Sequence, residues 1–315
     1  MKERNFKIKL LLGVIGLFTF ITFYLLGYPK LKIEMNQTEN KFVQTVPKTD
    51  ISFSIIKTGE AKTSEAFVFE GGNVFNVHTI SHSAILIKHP SGMVLFDTGL
   101  GKKIDEQFKE FPWFLKLLLS YEIEDNAVDK LVANGIMPDQ IKTIFISHLH
   151  WDHASAIKDF PKAEIVTLKE ELSETSILKG YVPSQFDGEA VKWNYIKLNP
   201  IQYESYTEST DWFGDGSIVL VNMKGHSAGS LGLFLNLKDG RRYFFTGDVT
   251  WDLRGFQSLS HKPRGARLLV DYDPMSVGKE ISRVNQLMEK DKTLKVVPAH
   301  DLNVQGEIGF FPKWN

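Results

Sequence analysis

The sequence predicts an α/β fold in which several strands end at side chains that can bind a metal ion. Short apolar runs rich in β-branched residues, typical of buried strands, alternate with helical patterns from residue 51 onwards. Residues of metal-ligating type stand just past four of the predicted strands, at His148, His226, Asp248 and His300. Strand ends that meet at one edge of a sheet are rigid enough to hold metal ligands, so the pattern predicts a metal site there.

The strongest of these signals follows the predicted strand 142–147. Side chains alternate along an extended backbone, so His148 and His150 can face one site. Asp152 and His153 come next, and their different direction predicts a second, adjacent site. Hydrogen-bonded structural histidines are the alternative, but four such residues within six positions are costly to bury without a cation. Imidazoles and carboxylates without thiolates favour Zn²⁺, Fe, Mn²⁺ or Co²⁺.

Composition and charge are those of an ordinary globular protein. Of the 315 residues, 43% are hydrophobic and 24% are charged, and the formal net charge is −1. The length fits one large domain or two. The near-neutral charge provides no overall field that would attract nucleic acid. Because the chain has no cysteine, disulfides, thiolate nucleophiles and cysteine metal sites are excluded, whereas the redox compartment stays open.

The first 28 residues are predicted to be an N-terminal membrane anchor. Four basic residues precede an uncharged run, Leu10 to Tyr28, and a helix of that length would rise about 28 Å, close to the thickness of the hydrocarbon layer. A cleaved signal peptide and a buried core helix are the alternatives. The basic flank predicts a catalytic domain on the extracytoplasmic side, or a secreted one if the segment is cleaved. Residues 29–49 are predicted to be a linker and 50–315 the folded domain.

The first half of the folded domain is predicted to contain a β-hairpin that ends in a carboxylate. Residues 51–56 form a predicted strand, and strands 84–89 and 93–96 flank a Pro-Ser-Gly turn. Asp97 follows the hairpin directly. A carboxylate there can bind a metal, but we expect it to orient a ligand or to fix a loop instead.

Three further segments lie on either side of the histidine stretch. Helices are predicted at 126–134, ended by Gly135, and at 152–160. The aromatic stretch 108–121 fits core packing, a pocket wall or a surface that dips into a membrane, and its role stays open.

Beyond residue 200 the strand-then-ligand pattern recurs three times. The predicted strands span 217–222, 232–237, 242–246 and 294–297, and a predicted amphipathic helix spans 276–289. His226, Asp248 and His300 each follow one of these strands within a few residues. Each would be a weak signal alone, but their shared placement predicts that all three bind metal.

Taken together, these motifs resemble those of the metallo-β-lactamase-fold hydrolases. The matching elements, in order, are Asp97-Thr98-Gly99, the His-x-His-x-Asp-His stretch at 148–153, Gly225-His226-Ser227, Thr246-Gly247-Asp248 and His300. The pattern is most similar to that of the quorum-quenching acyl-homoserine lactonases and, next, to that of the glyoxalase II-type thioesterases. The resemblance covers about residues 51–303. It implies an αββα four-layer sandwich of two mixed β-sheets flanked by helices.

The resemblance also implies a centre of two divalent metal ions, with zinc as the expected metal. One ion would be held by His148, His150 and His226, and the other by Asp152, His153 and His300, with Asp248 bridging the two. One position departs from the lactonase pattern, which has a tyrosine three residues after the bridging aspartate. The chain has Trp251 there, whose indole N–H can donate to a substrate carbonyl, or whose ring can form a pocket wall.

The implied reaction is metal-dependent hydrolysis of a lactone, ester or thioester. A hydroxide that bridges the metal ions would attack the carbonyl carbon, and Asp152 or Asp248 would pass a proton to the leaving group. The alternative is a phosphodiesterase acting on a lipid head group or a nucleotide, which would gain support if Arg254, Arg264 and Arg267 faced the site. A small-molecule substrate and no nucleic-acid partner are expected. The sequence does not determine the substrate, the metal or the oligomeric state.

Overall fold

Two β-sheets lie face to face in the structure, a computed structural model that describes residues 2–35 and 47–315 and, for residues 2–10, the backbone only. The strands are β1 (Ser52–Ser64), β2 (Val77–His89), β3 (Gly92–Phe96), β4 (Glu122–Ile123), β5 (Ile141–Phe145), β6 (Glu164–Leu168), β7 (Lys192–Ile196), β8 (Ser209–Asp211), β9 (Ile218–Asn222), β10 (Leu231–Asn236), β11 (Arg242–Phe245) and β12 (Leu294–Val297). The helices are α1 (Lys2–Leu25), α2 (Ile104–Gln107), α3 (Trp113–Lys116), α4 (Ala127–Ala133), α5 (Pro183–Phe186), α6 (Leu253–Gln257), α7 (Arg264–Val270), α8 (Pro274–Lys290) and α9 (Leu302–Ile308).

Both sheets mix parallel and antiparallel pairs. Seven of the described strands form the first sheet, in the order β4-β1-β2-β3-β5-β6-β7, and five form the second, in the order β12-β11-β10-β9-β8. In the first sheet, β3, β5, β6 and β7 run parallel to one another. In the second sheet, β11 and β12 run parallel. The carboxyl ends of β3 and β5, and likewise those of β11 and β12, therefore meet at a shared edge of their sheet.

The layers are held together by three apolar clusters. Between the sheets, Phe53 and Ile87 of the first sheet lie in one cluster with Leu220 and Leu233 of the second, and all four are fully buried. Helix α4 covers the outer face of the first sheet and α8 that of the second. A fully buried aliphatic or aromatic side chain of this kind contributes roughly 1.5–3 kcal/mol. The predicted αββα sandwich of two mixed sheets is confirmed.

Several predicted elements agree with the structure, and one is wrong. The hairpin of β2 and β3 forms as predicted, but segment 152–160 contains turns and the short 3₁₀ helix Ile157–Asp159 in place of an α-helix. Thr98 occupies the backbone groups that the helix would need. Its Oγ1 donates to His153 O at 2.6 Å and accepts from Ala156 N at 3.0 Å.

The N-terminal prediction needs a correction. None of the helices within residues 2–35 and 47–315 is long and apolar enough to cross a membrane, so the predicted transmembrane anchor is not supported. Helix α1 ends at Leu25, so its uncharged part, which begins at Leu10, rises about 24 Å, short of the roughly 30 Å of a hydrocarbon layer. Residues 36–46 of the predicted linker lie outside the described residues. The domain limits and the location of the protein stay predictions.

The aromatic stretch 108–121 divides between core and surface. Phe111 and Leu115 are buried in a cluster with Trp151, next to the histidine stretch. Trp113 and Leu117 are exposed. The stretch is therefore in part core, and its α3 face is in part apolar surface.

Candidate metal centre

All seven predicted ligands meet in one buried place. They follow the carboxyl ends of β5, β9, β11 and β12, and none is more than 8% exposed. In the first group, His226 Nε2 lies 2.9 Å from His150 Nδ1 and 3.1 Å from His148 Nε2. One ligand atom from each of these three residues can therefore face a single ion. This is the predicted His148, His150 and His226 set.

The second predicted group lies beside the first. His300 Nε2 is 3.4 Å from Asp152 Oδ2 and 3.4 Å from His153 Nε2. Asp248 lies between the groups: Oδ1 is 3.1 Å from His300 Nε2, and Oδ2 is 3.6 Å from His226 Nε2. The structure thus places Asp248 where the sequence pattern puts a bridging carboxylate.

The donor set fits a pair of divalent cations. Ring nitrogens face ring nitrogens at 3.1 Å between His148 and His226 and at 3.4 Å between His153 and His300. One proton can form a hydrogen bond within only one of these two nitrogen pairs. In addition, His150 Nε2 has no hydrogen-bond partner among the described residues. Five imidazoles and two carboxylates that converge in this way suit Zn²⁺ and similar ions.

The protonation of the centre follows from burial and from its carboxylates. Burial lowers the pKa of His148 and His150 well below the usual value, which keeps these rings neutral and able to bind metal. Burial also acts to lower the pKa of His153, but Asp248 and nearby carboxylates outweigh it and raise that pKa well above the usual value. Burial acts to raise the pKa of Asp248, yet His300 and His153 hold it well below the usual range.

Four of the rings are fixed through their other nitrogen. The Nδ1 atom of His148 lies 2.9 Å from Ser147 Oγ, and that of His153 lies 2.8 Å from Asp97 Oδ2. The Nδ1 atom of His226 lies 2.8 Å from Asp271 Oδ1, and that of His300 lies 2.8 Å from the carbonyl oxygen of Ser81. Such partners set the tautomer and leave Nε2 free for a metal. Asp97 therefore has the predicted orienting role. Asp97 also accepts a hydrogen bond from Ser147 N at 2.7 Å, and its own backbone has a φ of +59°.

Trp251 lies at the centre, and its N–H donates to one of the predicted metal ligands. Its Nε1 donates to Asp248 Oδ2 at 2.8 Å, and its ring lies 6.3 Å from that of His300. Because a carboxylate already accepts the indole proton, that proton is not free for a substrate carbonyl, and the role of the ring as a pocket wall stays a prediction.

The three arginines of the phosphodiesterase alternative face other groups. Arg254 pairs with Glu65 and Asp252, and buried Arg267 pairs with Glu70. Arg264 lies over the ring of Tyr24, 4.0 Å from its centroid, and bonds the Pro29 carbonyl. Their charges are therefore engaged away from the centre.

Three polar residues of the centre do not follow from the sequence pattern. His82 Nδ1 lies 3.0 Å from Asp152 Oδ2, and His82 forms a third ligand-type group with Asp152 and His300. Asp271 and Lys262 lie behind His226. A lone histidine in a strand and a lone lysine in a loop carry no spacing signal, because their partners are distant in the chain.

The αββα fold and this centre of imidazoles and carboxylates define the class of the protein, which is a metal-dependent hydrolase. The family model of the Metallo-beta-lactamase superfamily matches residues 79–300, and the chain belongs to this superfamily.

Within this superfamily, the chain is similar to several N-acyl homoserine lactonases. The chain is 27% identical over 214 residues to the N-acyl homoserine lactonase AttM of Rhizobium radiobacter, a match that covers 65% of this chain and 78% of AttM. It is 23% identical over 269 residues to the N-acyl homoserine lactonase AiiB of Agrobacterium fabrum, covering 78% and 92%. A crystal structure of a quorum-quenching N-acyl homoserine lactone lactonase superposes with a TM-score of 0.66 at 19% identity, covering 85% of this chain and all of the other. AidC, a dizinc quorum-quenching lactonase, superposes with a TM-score of 0.55 at 17% identity, covering 84% and 92%.

Proposed function

We propose that the protein hydrolyses N-acyl homoserine lactones or closely related lactones at a centre of two Zn²⁺ ions. The convergence of all seven predicted ligands carries the hydrolytic part of this proposal. The names of the relatives AttM and AiiB support the lactone part. In the reaction, water adds across the acyl C–O bond of the ring: its oxygen joins the carbonyl carbon, and one of its protons moves to the ring oxygen.

The residues of the chain have separate tasks in this proposal. His148, His150 and His226 would hold one ion, Asp152, His153 and His300 the other, and Asp248 both. When bound, such ions polarise a carbonyl and lower the pKa of water. Asp152 and Asp248 are the carboxylates of the predicted ligand set, and we assign them the proton transfer to the leaving oxygen. Trp251 holds Asp248 by its N–H and gives the pocket an apolar wall.

The contacts of the arginines favour an uncharged substrate over a phosphodiester. Arg254 and Arg267 are already neutralised by carboxylates. A phosphodiester would have to approach Asp152 and Asp248 without a free arginine from residues 254–267 to balance its charge.

The experiment is a substrate panel on the metal-loaded full chain. Acyl-homoserine lactones of several chain lengths, thioesters and bis(p-nitrophenyl) phosphate are compared by kcat/KM, with metal content measured in parallel. We expect lactones to be the best substrates and Asp248→Ala to lose a hundredfold or more in kcat/KM. Preference for the phosphate diester, or full activity of Asp248→Ala, overturns the proposal.

A further inference from the structure

A lysine lies fully buried behind the centre. The Lys262 side chain has 0% exposure, as has that of Asp271, and Lys262 Nζ lies 2.8 Å from Asp271 Oδ1. An ammonium group is costly to bury even when it is paired. A buried cation next to a metal site also opposes the charge of the metal, so its position requires a physical reason.

The contacts of Asp271 give the first part of that reason. Its Oδ1 lies 2.8 Å from His226 Nδ1 as well as 2.8 Å from Lys262 Nζ. A carboxylate only accepts hydrogen bonds, so both neighbours must donate. The imidazole proton of His226 is therefore held on Nδ1. The free electron pair of the ring then lies on Nε2, which is the atom that faces His148 and His150.

The contacts of Lys262 give the second part. Besides Asp271, Lys262 Nζ bonds the carbonyl of Val249 at 3.2 Å, and Val249 is the residue after the bridging Asp248. Lys262 thus joins the turn after β9, which carries His226, to the turn after β11, which carries Asp248. Its Nζ also lies only 3.3 Å from His226 Nδ1. Without Asp271 as acceptor, Lys262 would donate to that nitrogen and drive the ring proton to Nε2, where it blocks a metal.

We propose that Lys262 and Asp271 are positioning residues of the metal centre. Their ion pair holds His226 in the tautomer that binds metal and ties it to the turn of Asp248. Metal affinity therefore depends on two side chains that touch no metal. This inference concerns the centre itself and holds for any substrate of the enzyme.

The test compares two pairs of substitutions that each remove a buried ion pair. Lys262→Met with Asp271→Leu replaces the pair behind His226 by apolar side chains, which leaves no unpaired buried charge. Arg242→Met with Glu204→Leu removes the buried Arg242–Glu204 pair, which belongs to none of the ligand-type groups. The second partner of Arg242, Asp291, is partly exposed and keeps its hydrogen bonds from Thr293. Zinc affinity is measured by competition with a chelator. The tautomer of His226 is read from ¹⁵N–¹H correlation spectra of the metal-free protein.

We expect the Lys262/Asp271 variant to lose roughly 10–100-fold in zinc affinity and to show His226 with its proton on Nε2 in part of the population. The Arg242/Glu204 variant should keep both the affinity and the Nδ1–H tautomer. If the Lys262/Asp271 variant does not fold, Asp271→Leu alone, in which Lys262 is left to donate to His226 Nδ1, is tested for the same two readouts. Zinc affinity within twofold of the parent, or an unchanged His226 tautomer, overturns the proposal.

Discussion

At the scale of single residues, the centre depends on the partner of each ligand as much as on the ligand. Asp97 and the Ser81 carbonyl orient His153 and His300 through Nδ1. His82 orients the carboxylate ligand Asp152 in a similar way, since His82 Nδ1 lies 3.0 Å from Asp152 Oδ2. A carboxylate whose second contact is fixed keeps its direction when the metal is absent.

Replacing His82 with Gln should therefore weaken the second metal ion selectively. Asp152 would lose its fixed donor, and we expect roughly a tenfold or greater loss of affinity for one of two ions. A titration of bound metal against free Zn²⁺ measures this, because the two binding steps separate.

A matched control lies on the same strand. His89 also pairs with an aspartate at 3.0 Å, but its partner Asp215 is outside the centre. His89→Gln should leave both binding steps unchanged. Binding steps in His82→Gln that are unchanged from those of the parent would show that His82 has no part in the centre.

At the scale of elements, the ligands sit on turns that must be fastened to one another. Glu171, in the 3₁₀ turn after β6, is buried and accepts from Leu149 N at 2.8 Å and from Gly229 N at 3.0 Å. It also accepts from Ser227 Oγ at 2.5 Å. One carboxylate thus joins the turn that carries His148 and His150 to the turn that carries His226.

Glu171→Ala should destabilise the protein more than an ordinary substitution. Two buried backbone N–H groups would lose their acceptor, at about 1–3 kcal/mol each. We expect the free energy of unfolding to fall by roughly 2–5 kcal/mol in urea denaturation. The exposed neighbour Glu170 supplies the control, since Glu170→Ala should be close to neutral. A similar, small loss in both variants would contradict the role of Glu171.

The turn before β9 should give stability a pH dependence. Burial acts to raise the pKa of Asp215, but hydrogen bonds with His89 and Ser217 outweigh it and hold that pKa well below its usual value. A lowered carboxyl pKa stabilises the fold above the unfolded value of about 3.9 and loses this effect as the pH falls through the folded pKa. Asp215→Asn should therefore cost about 1–2 kcal/mol at pH 7 and somewhat less near pH 3, which lies between the unfolded and the folded pKa. Urea unfolding at both pH values checks this, and an equal cost at the two values would exclude the ionised Asp215 as its source.

At the scale of the whole molecule, the centre connects the two sheets. His148 follows β5 of the first sheet, whereas Asp248 and His300 follow β11 and β12 of the second. Metal ions bound between them would cross-link the two halves of the sandwich. A ligand that binds only the folded state stabilises it by mass action, by about 4 kcal/mol at a thousandfold excess over its dissociation constant.

Removal of metal with a chelator should therefore lower the midpoint of thermal unfolding by roughly 5–15 °C. Re-addition of Zn²⁺ should restore it. In His226→Ala, which lacks a ligand of the first group, the chelator should have a smaller effect. An unchanged midpoint in the parent after complete metal removal would mean that the sheets do not depend on the ions.

The parts of the protein that the sequence predicted are those with a local signal. The hairpin of β2 and β3 has its turn residues and its alternation within thirteen positions, and the ligands follow apolar strands directly. The predicted helix 152–160 failed because Thr98, more than fifty residues earlier, takes up its backbone groups. The transmembrane prediction rested on length and apolarity alone, and the described helices do not meet that requirement.

The sequence by itself determined the superfamily, the strand pattern and the seven ligand candidates, because each is encoded in the type and spacing of neighbouring residues. Only the tertiary structure decided which groups stand behind the ligands and which charges are already paired. His82 meets Asp152, Lys262 and Asp271 meet His226, and Arg267 meets Glu70 across separations in the chain of up to 197 residues. Hydrogen bonds and ion pairs act over a few ångströms in space, so no local pattern specifies partners that only the packing of two sheets brings together.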